Sequence, residues 1–174
     1  MARRSKPTFL LRQDVTTDDT TQVQEVMDIS SFVDVPNGEV LLIKRAWINY
    51  CDASAGHGVI ASMFAASSGL CISASACTRT FAQMQSSAEP STITKGYLHV
   101  HGDGGQDTTF YREDTLLEPA QFEDGFYCAS SGITLSVDSS LALSTEIKVS
   151  FIFECQQVKI GEAAALAKIV SLTQ

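Results

Sequence analysis

The 174-residue sequence predicts an all-β fold, a sandwich of about eight strands with a short C-terminal helix, on three observations. From Thr145 to Val158, the residues Ile147, Val149, Phe151, Phe153 and Cys155 alternate with Glu146, Lys148, Ser150, Glu154 and Gln156. That two-residue period, held over a long stretch, is the signature of a strand with one face in a core. Gly, Pro, Asn, Asp and Ser punctuate the rest of the chain into pieces of strand length. Helical spacing occurs only near the end, over Glu162 to Val170, where Ala163, Leu166, Ile169 and Val170 form an apolar stripe.

Residues 1–13 read as a basic N-terminal arm and residues 14–174 as a single domain. Thr8 to Gln13 is expected as a short strand and Asp14 to Asp19 as a polar connector. Thr21, Val23, Met27 and Ile29 then alternate with Gln22, Gln24 and Asp28, ahead of the turn signal Pro36-Asn37-Gly38. Val40 to Cys51 is a long strand with apolar residues on both faces. Val40, Leu42, Ala46, Ile48 and Tyr50 fall on one, and Leu41, Ile43, Trp47 and Cys51 on the other. A two-layer core absorbs one of these faces, so the second is expected to meet another element or another subunit.

Gly56-His57-Gly58 and Ser67-Ser68-Gly69 bracket a segment from Val59 to Ala65, and Cys71 to Met84 supplies an extended stretch rich in small residues. Ser86 to Ser91 is a loop. Ile93 to His101 is extended and ends in Gly102-Asp103-Gly104-Gly105, which no regular element tolerates. The acidic stretch from Phe110 to Asp124 is expected as a long excursion with at most short strands. Phe126 to Ala129, Ile133 to Val137 and the Thr145 strand complete the set. Eight strands is the number in a two-sheet jelly roll, and the length exceeds the roughly 100 residues of an immunoglobulin-like sandwich.

Net charge is −8, yet Arg3, Arg4, Lys6 and Arg12 all precede the first acid, Asp14. An acidic body repels a polyanion, while an arm bearing Arg3, Arg4 and Lys6 can touch nucleic acid or a membrane surface. Five cysteines without a CxxC pair fit reduced thiols in a core better than a disulfide framework. The first residues hold no apolar run of signal-peptide length and no later run approaches a membrane span, so a soluble, non-secreted protein is expected.

Chemistry-bearing residues are few. His99 and His101 stand at i and i+2 of a strand, so both imidazoles can reach one metal, with His57 or Asp103 to complete the set. The pattern resembles the first cupin motif, but Gln106 takes the place of its acid and no histidine follows His101. The competing reading puts both on the outward face with Lys95 and Tyr97, while Leu98 and Val100 face the core. Glu113-Asp114, Glu118 and Glu123-Asp124 read as a solvated acidic loop, since the EF-hand pattern is missing. No GxSxG elbow, GxxxxGK[ST] or GxGxxG motif occurs.

The short basic arm, the all-β body, the stretch Asp28-Ile-Ser-Ser-Phe-Val-Asp-Val, the strand Val40-Leu-Leu-Ile-Lys-Arg-Ala-Trp-Ile-Asn-Tyr and the ending Ile147-Lys-Val-Ser-Phe-Ile-Phe-Glu-Cys-Gln-Gln-Val-Lys together carry a resemblance. The chain resembles the small single jelly-roll capsid proteins of icosahedral viruses of archaea and bacteria, including those with an internal membrane. The resemblance implies a structural protein that self-assembles into a capsid shell in the host cytoplasm and resides in the virion. Its partners would be copies of itself, other capsid proteins and, through the arm, genome or membrane. No cofactor, small-molecule substrate or catalytic residue is implied. Two alternatives come from other classes: a cupin-like metal-binding enzyme centred on His99 and His101, and a carbohydrate-binding β-sandwich that stacks sugars on Trp47, Tyr97 or Tyr111. Core packing explains Trp47 at least as well.

Overall fold

Alternation of apolar and polar residues organises the described residues into nine strands: β1 (Thr8–Thr17), β2 (Val23–Asp28), β3 (Glu39–Asp52), β4 (Leu70–Cys77), β5 (Thr92–Gly102), β6 (Thr109–Leu117), β7 (Phe126–Cys128), β8 (Gly132–Ser139) and β9 (Ile147–Lys159). This computed structural model describes residues 6–18, 20–54, 69–102, 109–143, 145–160, 163–164 and 166–167, with backbone alone at residue 102 and residues 109–113. The strands form two antiparallel sheets. Sheet A has the order β1-β9-β3-β7 and sheet B the order β2-β8-β4-β5-β6. The chain passes from one sheet to the other at every connection except β4–β5 and β5–β6.

One apolar core lies between the sheets. Sheet A contributes large side chains to it: Ile147, Val149, Phe151, Phe153 and Cys155 of β9 are fully buried, as their spacing predicts. Burial of each phenylalanine side chain is worth roughly 1.5–3 kcal/mol. Sheet B contributes Ile72, Leu98, Leu135 and Val137 together with the small residues Ala74, Ala76 and Gly96. A Cβ added at Gly96 would stand 3.3 Å from Ile48 Cδ1 and 3.5 Å from the Tyr50 hydroxyl, so the large residues of β3 fill the space that β5 leaves.

Strand β3 departs from its expected face pattern. Its register on β9 shifts between Ile43 and Arg45, a β-bulge that accommodates Lys44. The extra residue changes the phase, so Leu41 and Ile43 before it and Ala46, Ile48 and Tyr50 after it all belong to the core. Two apparent apolar faces are thus mostly one face interrupted by a bulge. Val40 and Leu42 point the other way but are also buried. Val40 packs in a small second cluster with Ala129, Val35, Tyr127, Val158 and Ile160.

Three further expectations are corrected. β1 continues through Asp14 to Thr17, with Val15 fully buried, so no polar connector begins at residue 14 and the strand crosses the expected boundary between arm and domain. β6 is a full strand on β5 where an irregular excursion was expected; its charged residues suit the edge position it takes in sheet B. The extended segment that begins at Cys71 ends at Cys77, well short of Met84. Of the expected helix over Glu162 to Val170, Ala163, Ala164, Leu166 and Ala167 have helical backbone and are exposed, and the other residues lie outside those described.

Two glycines are required by backbone geometry. Gly38 (φ 69°) closes the turn into β3, where Asp34 accepts from the backbone and side-chain amides of Asn37. Gly125 (φ 85°) lies so near β3 that a Cβ would stand 2.5 Å from the Ile43 carbonyl oxygen.

Candidate functional site

The outward faces of the two sheets differ, and the difference locates the candidate site. Residues pointing away from the core on sheet A form transverse rows set by strand register. Leu10, Glu154 and Arg45 make one row, Arg12, Ile152 and Trp47 the next, and Asp14, Ser150 and Asn49 a third. Leu10 is 47% exposed and Trp47 41%, with half-buried Ile152 between their strands. Apart from Arg12, the charges around this apolar centre are paired within the chain. Arg45 lies 3.8 Å from Glu154, Lys148 lies 3.9 Å from Asp14, and the Ser150 hydroxyl donates to Asp14 at 2.6 Å. Trp47 is therefore a surface residue and not a core one.

Sheet B is covered. Residues 78–91, which connect β4 to β5, fold back across its outward face. The Gln24 side-chain amide donates to the Phe81 carbonyl at 2.5 Å, the Thr80 and Thr134 hydroxyls lie 3.1 Å apart, and the Ser75 hydroxyl donates to the Met84 sulfur at 2.8 Å. Lys95 fastens the far end by donating to the Gln85 carbonyl, with its ammonium 5.3 Å from the centre of the Tyr97 ring. Beneath this strap Ser75, Lys95, Thr134 and Ser136 are buried, Lys95 to 5% exposure. Polar outward residues of a sheet commonly meet water; here they meet backbone carbonyls and hydroxyls of a loop, which meets the requirement that buried polar groups be hydrogen-bonded.

His99 and His101 lie on the outward face of β5 with Lys95 and Tyr97, as strand alternation predicts. The Tyr97 and His99 rings are 5.7 Å apart and tilted, and His101 Nδ1 stands where a Cβ on Gly69 would be 3.4 Å away. Among the described residues, no three of His, Cys, Asp and Glu gather in a group able to hold a metal ion. His57, Asp103 and Gln106 lie outside the described residues, as do Arg3, Arg4 and the side chain of Tyr111. Lys6 is engaged inside the molecule: its ammonium donates to Glu39 at 3.0 Å and to Gln157 at 2.9 Å, while the Gln157 amide donates to the other Glu39 oxygen at 2.8 Å. This network pins the chain's entry into β1 to the ends of β3 and β9.

All five cysteines are free, and burial raises the pKa of each thiol above its ordinary value. Cys155 is pushed up to about 12, by burial first and then by its neighbours Cys128 and Glu154. A thiol held protonated in this way is a poor nucleophile. A cleft of about 450 Å³ opens between residues 87–90 and the β6–β7 connection, lined by Pro90, Leu117, Phe122, Phe126 and Tyr127. Its carboxylate, Glu89, accepts from the Ser91 hydroxyl at 3.0 Å. The other polar side chains that line it are Ser87, Thr92 and the Tyr127 phenol.

The residues that sequence reasoning missed are those of the strap. Their signal was the unusual run of Thr and Ser at outward positions of β4 and β8, short side chains that leave room for a covering loop. No protein-family model matches this chain, and no curated protein matches it.

Proposed function

We propose that this chain is a structural subunit, a single jelly roll that assembles with copies of itself into a closed shell of the viral capsid type. The strand order carries the reading. With β6 set aside as an added edge strand, the sheets become β1-β9-β3-β7 and β2-β8-β4-β5, and the chain alternates between them except at β4–β5. That is the order expected of two Greek keys wrapped as an eight-stranded jelly roll. The partly apolar face of sheet A, open among the described residues, adds support, since such a patch suits a protein contact. In this reading the subunit is non-catalytic, resides in the virion after assembly in the host cytoplasm, and takes neither cofactor nor small substrate. Arg3 and Arg4 are its groups for genome or internal membrane, because Lys6 is held by Glu39 and Gln157.

Negative-stain microscopy and sedimentation of the purified chain test the proposal. Large particles of uniform symmetry are the expected result. A monomer at high concentration, carrying stoichiometric metal on His99 and His101 or binding glycans through Trp47, would replace it with one of the two alternatives.

A further inference from the structure

We propose that the outward face of sheet A is a two-fold contact with a second copy of this chain, in which Arg12 of each copy lies on the indole of the partner's Trp47. The inference rests on the assembly reading above and names one of its contacts. Arg12 pairs with Ile152, and Ile152 with Trp47, so the three side chains stand in a single row across β1, β9 and β3. Both outer strands are antiparallel to β9 and therefore parallel to each other. Each lies about 4.8 Å from it. A dyad running along β9 thus places β1 over the partner's β3 without reversing direction, as in aligned packing of two sheets.

Row by row, the pairs that this dyad creates are complementary. Leu10 meets the aliphatic stem of the partner's Arg45, and Asp14 meets the amide of the partner's Asn49. Arg12 meets the partner's Trp47 in a cation–π contact, and the two Ile152 side chains meet on the axis. Like charges brought towards the axis are already neutralised at home, Glu154 by Arg45 and Lys148 by Asp14. The Arg12 side chain, in contrast, has no ion pair or hydrogen bond among the described residues. The other in-plane dyad, perpendicular to the strands, would set Arg12 against the partner's Arg12 and Leu10 against the partner's Asp14, so charge selects the first.

Three strands by eight residues give a footprint on the order of 400 Å² per copy, about half of a standard interface. The isolated pair is accordingly weak and reversible, and neighbouring contacts in a larger assembly strengthen it. Arg and Trp at the centre of the patch are the side chains in which binding energy concentrates.

Trp47 is the only tryptophan, so its emission reports this contact alone. The full chain is followed by sedimentation velocity and tryptophan emission through a dilution series, beside Ile152→Asp, Arg12→Glu and a control on the other sheet, Ser73→Asp. The expected result is a blue-shifted emission that moves to the red as the complex dissociates. Ile152→Asp and Arg12→Glu should each weaken association about tenfold or more with unchanged circular dichroism, while Ser73→Asp leaves it as it was. A dimer that behaves in this way without forming particles upholds the contact and ends the shell reading. Particles that form equally well from Ile152→Asp and Arg12→Glu, with unchanged Trp47 emission, overturn the contact and leave the shell. A chain that stays monomeric overturns both.

Discussion

The two outward faces of this sandwich begin from the same alternation and end in different states. Near the centre of sheet A the outward residues are long or aromatic, Arg12, Trp47, Ile152 and Glu154, and nothing in the described part of the chain lies over them. In the middle of sheet B they are short, Ser75, Thr134 and Ser136, and the 78–91 strap is laid across them. Side-chain length decides which face a loop can cover, because a backbone can approach a sheet closely only where hydroxyls replace bulky groups and satisfy its carbonyls. The middle of one face is covered by the chain's own loop, and among the described residues the other lies open.

What the faces share is tested by the largest effect. Phe153→Ala removes a fully buried ring from the core between both sheets, and should cost about 3–5 kcal/mol in urea unfolding. Loss of sheet A and strap signals in one transition is expected, since one core serves both. Two separated transitions would mean that the strapped sheet holds a core of its own.

A matched pair of substitutions then separates the faces. Lys95→Ala unfastens the strap from beneath and leaves the Gln85 carbonyl without its donor, at a cost of about 1–3 kcal/mol. Arg12→Ala on the bare face should change stability by no more than about 0.5 kcal/mol, as exposed positions do. Equal losses at the two positions would show that the strap is not a stabilising element.

Much of this contrast was hidden in the sequence for physical reasons. β9 was legible because its five inward residues are uninterrupted and its outward ones mostly polar. β3 was legible as a strand but not as a pair of faces: a bulge at Lys44 leaves no trace in composition, and counting by twos through it splits one core face into two. Leu41, Ile43, Ala46, Ile48 and Tyr50 share a side only once the extra residue is known. β6 was obscured because an edge strand can be charged on both sides. The strap was unreadable as such, since a covering loop and a solvated loop have the same composition, and only the partners beneath Thr80, Met84 and Gln85 distinguish them. The spacing of His99 and His101 correctly placed both on one face, and the neighbours that would make that face a metal site are what spacing cannot supply.

Thiol reactivity follows the faces with a smaller effect. Cys51 on sheet A and Cys71 on sheet B are half-buried and should react first with a disulfide reagent, whereas Cys77, Cys128 and Cys155 wait for opening. Lys95→Ala should accelerate Cys77, which lies at the root of the strap, and leave Cys128 and Cys155 unchanged. Because burial raises every thiol pKa in the folded chain, the unfolded chain releases these protons first. Stability is thus fully present below the ordinary thiol pKa of 9.0 and falls as pH rises from there towards about 12. A flat alkaline limb in a pH series of urea midpoints would contradict this.

The smallest effect concerns the ion pairs that frame the bare face. Arg45–Glu154 and Lys148–Asp14 are long and exposed to water, so Lys148→Met should cost at most about 1 kcal/mol and the loss should fade in high salt. Their larger consequence is for association: with Lys148 removed, the Asp14 carboxylate loses its counter-charge beside the apolar row. If these pairs serve mainly to neutralise the face for a second copy, Lys148→Met should weaken self-association more than it weakens the fold. Sedimentation and urea unfolding of the same variant compare the two, and a variant that loses stability while associating normally would assign the pairs to the fold alone.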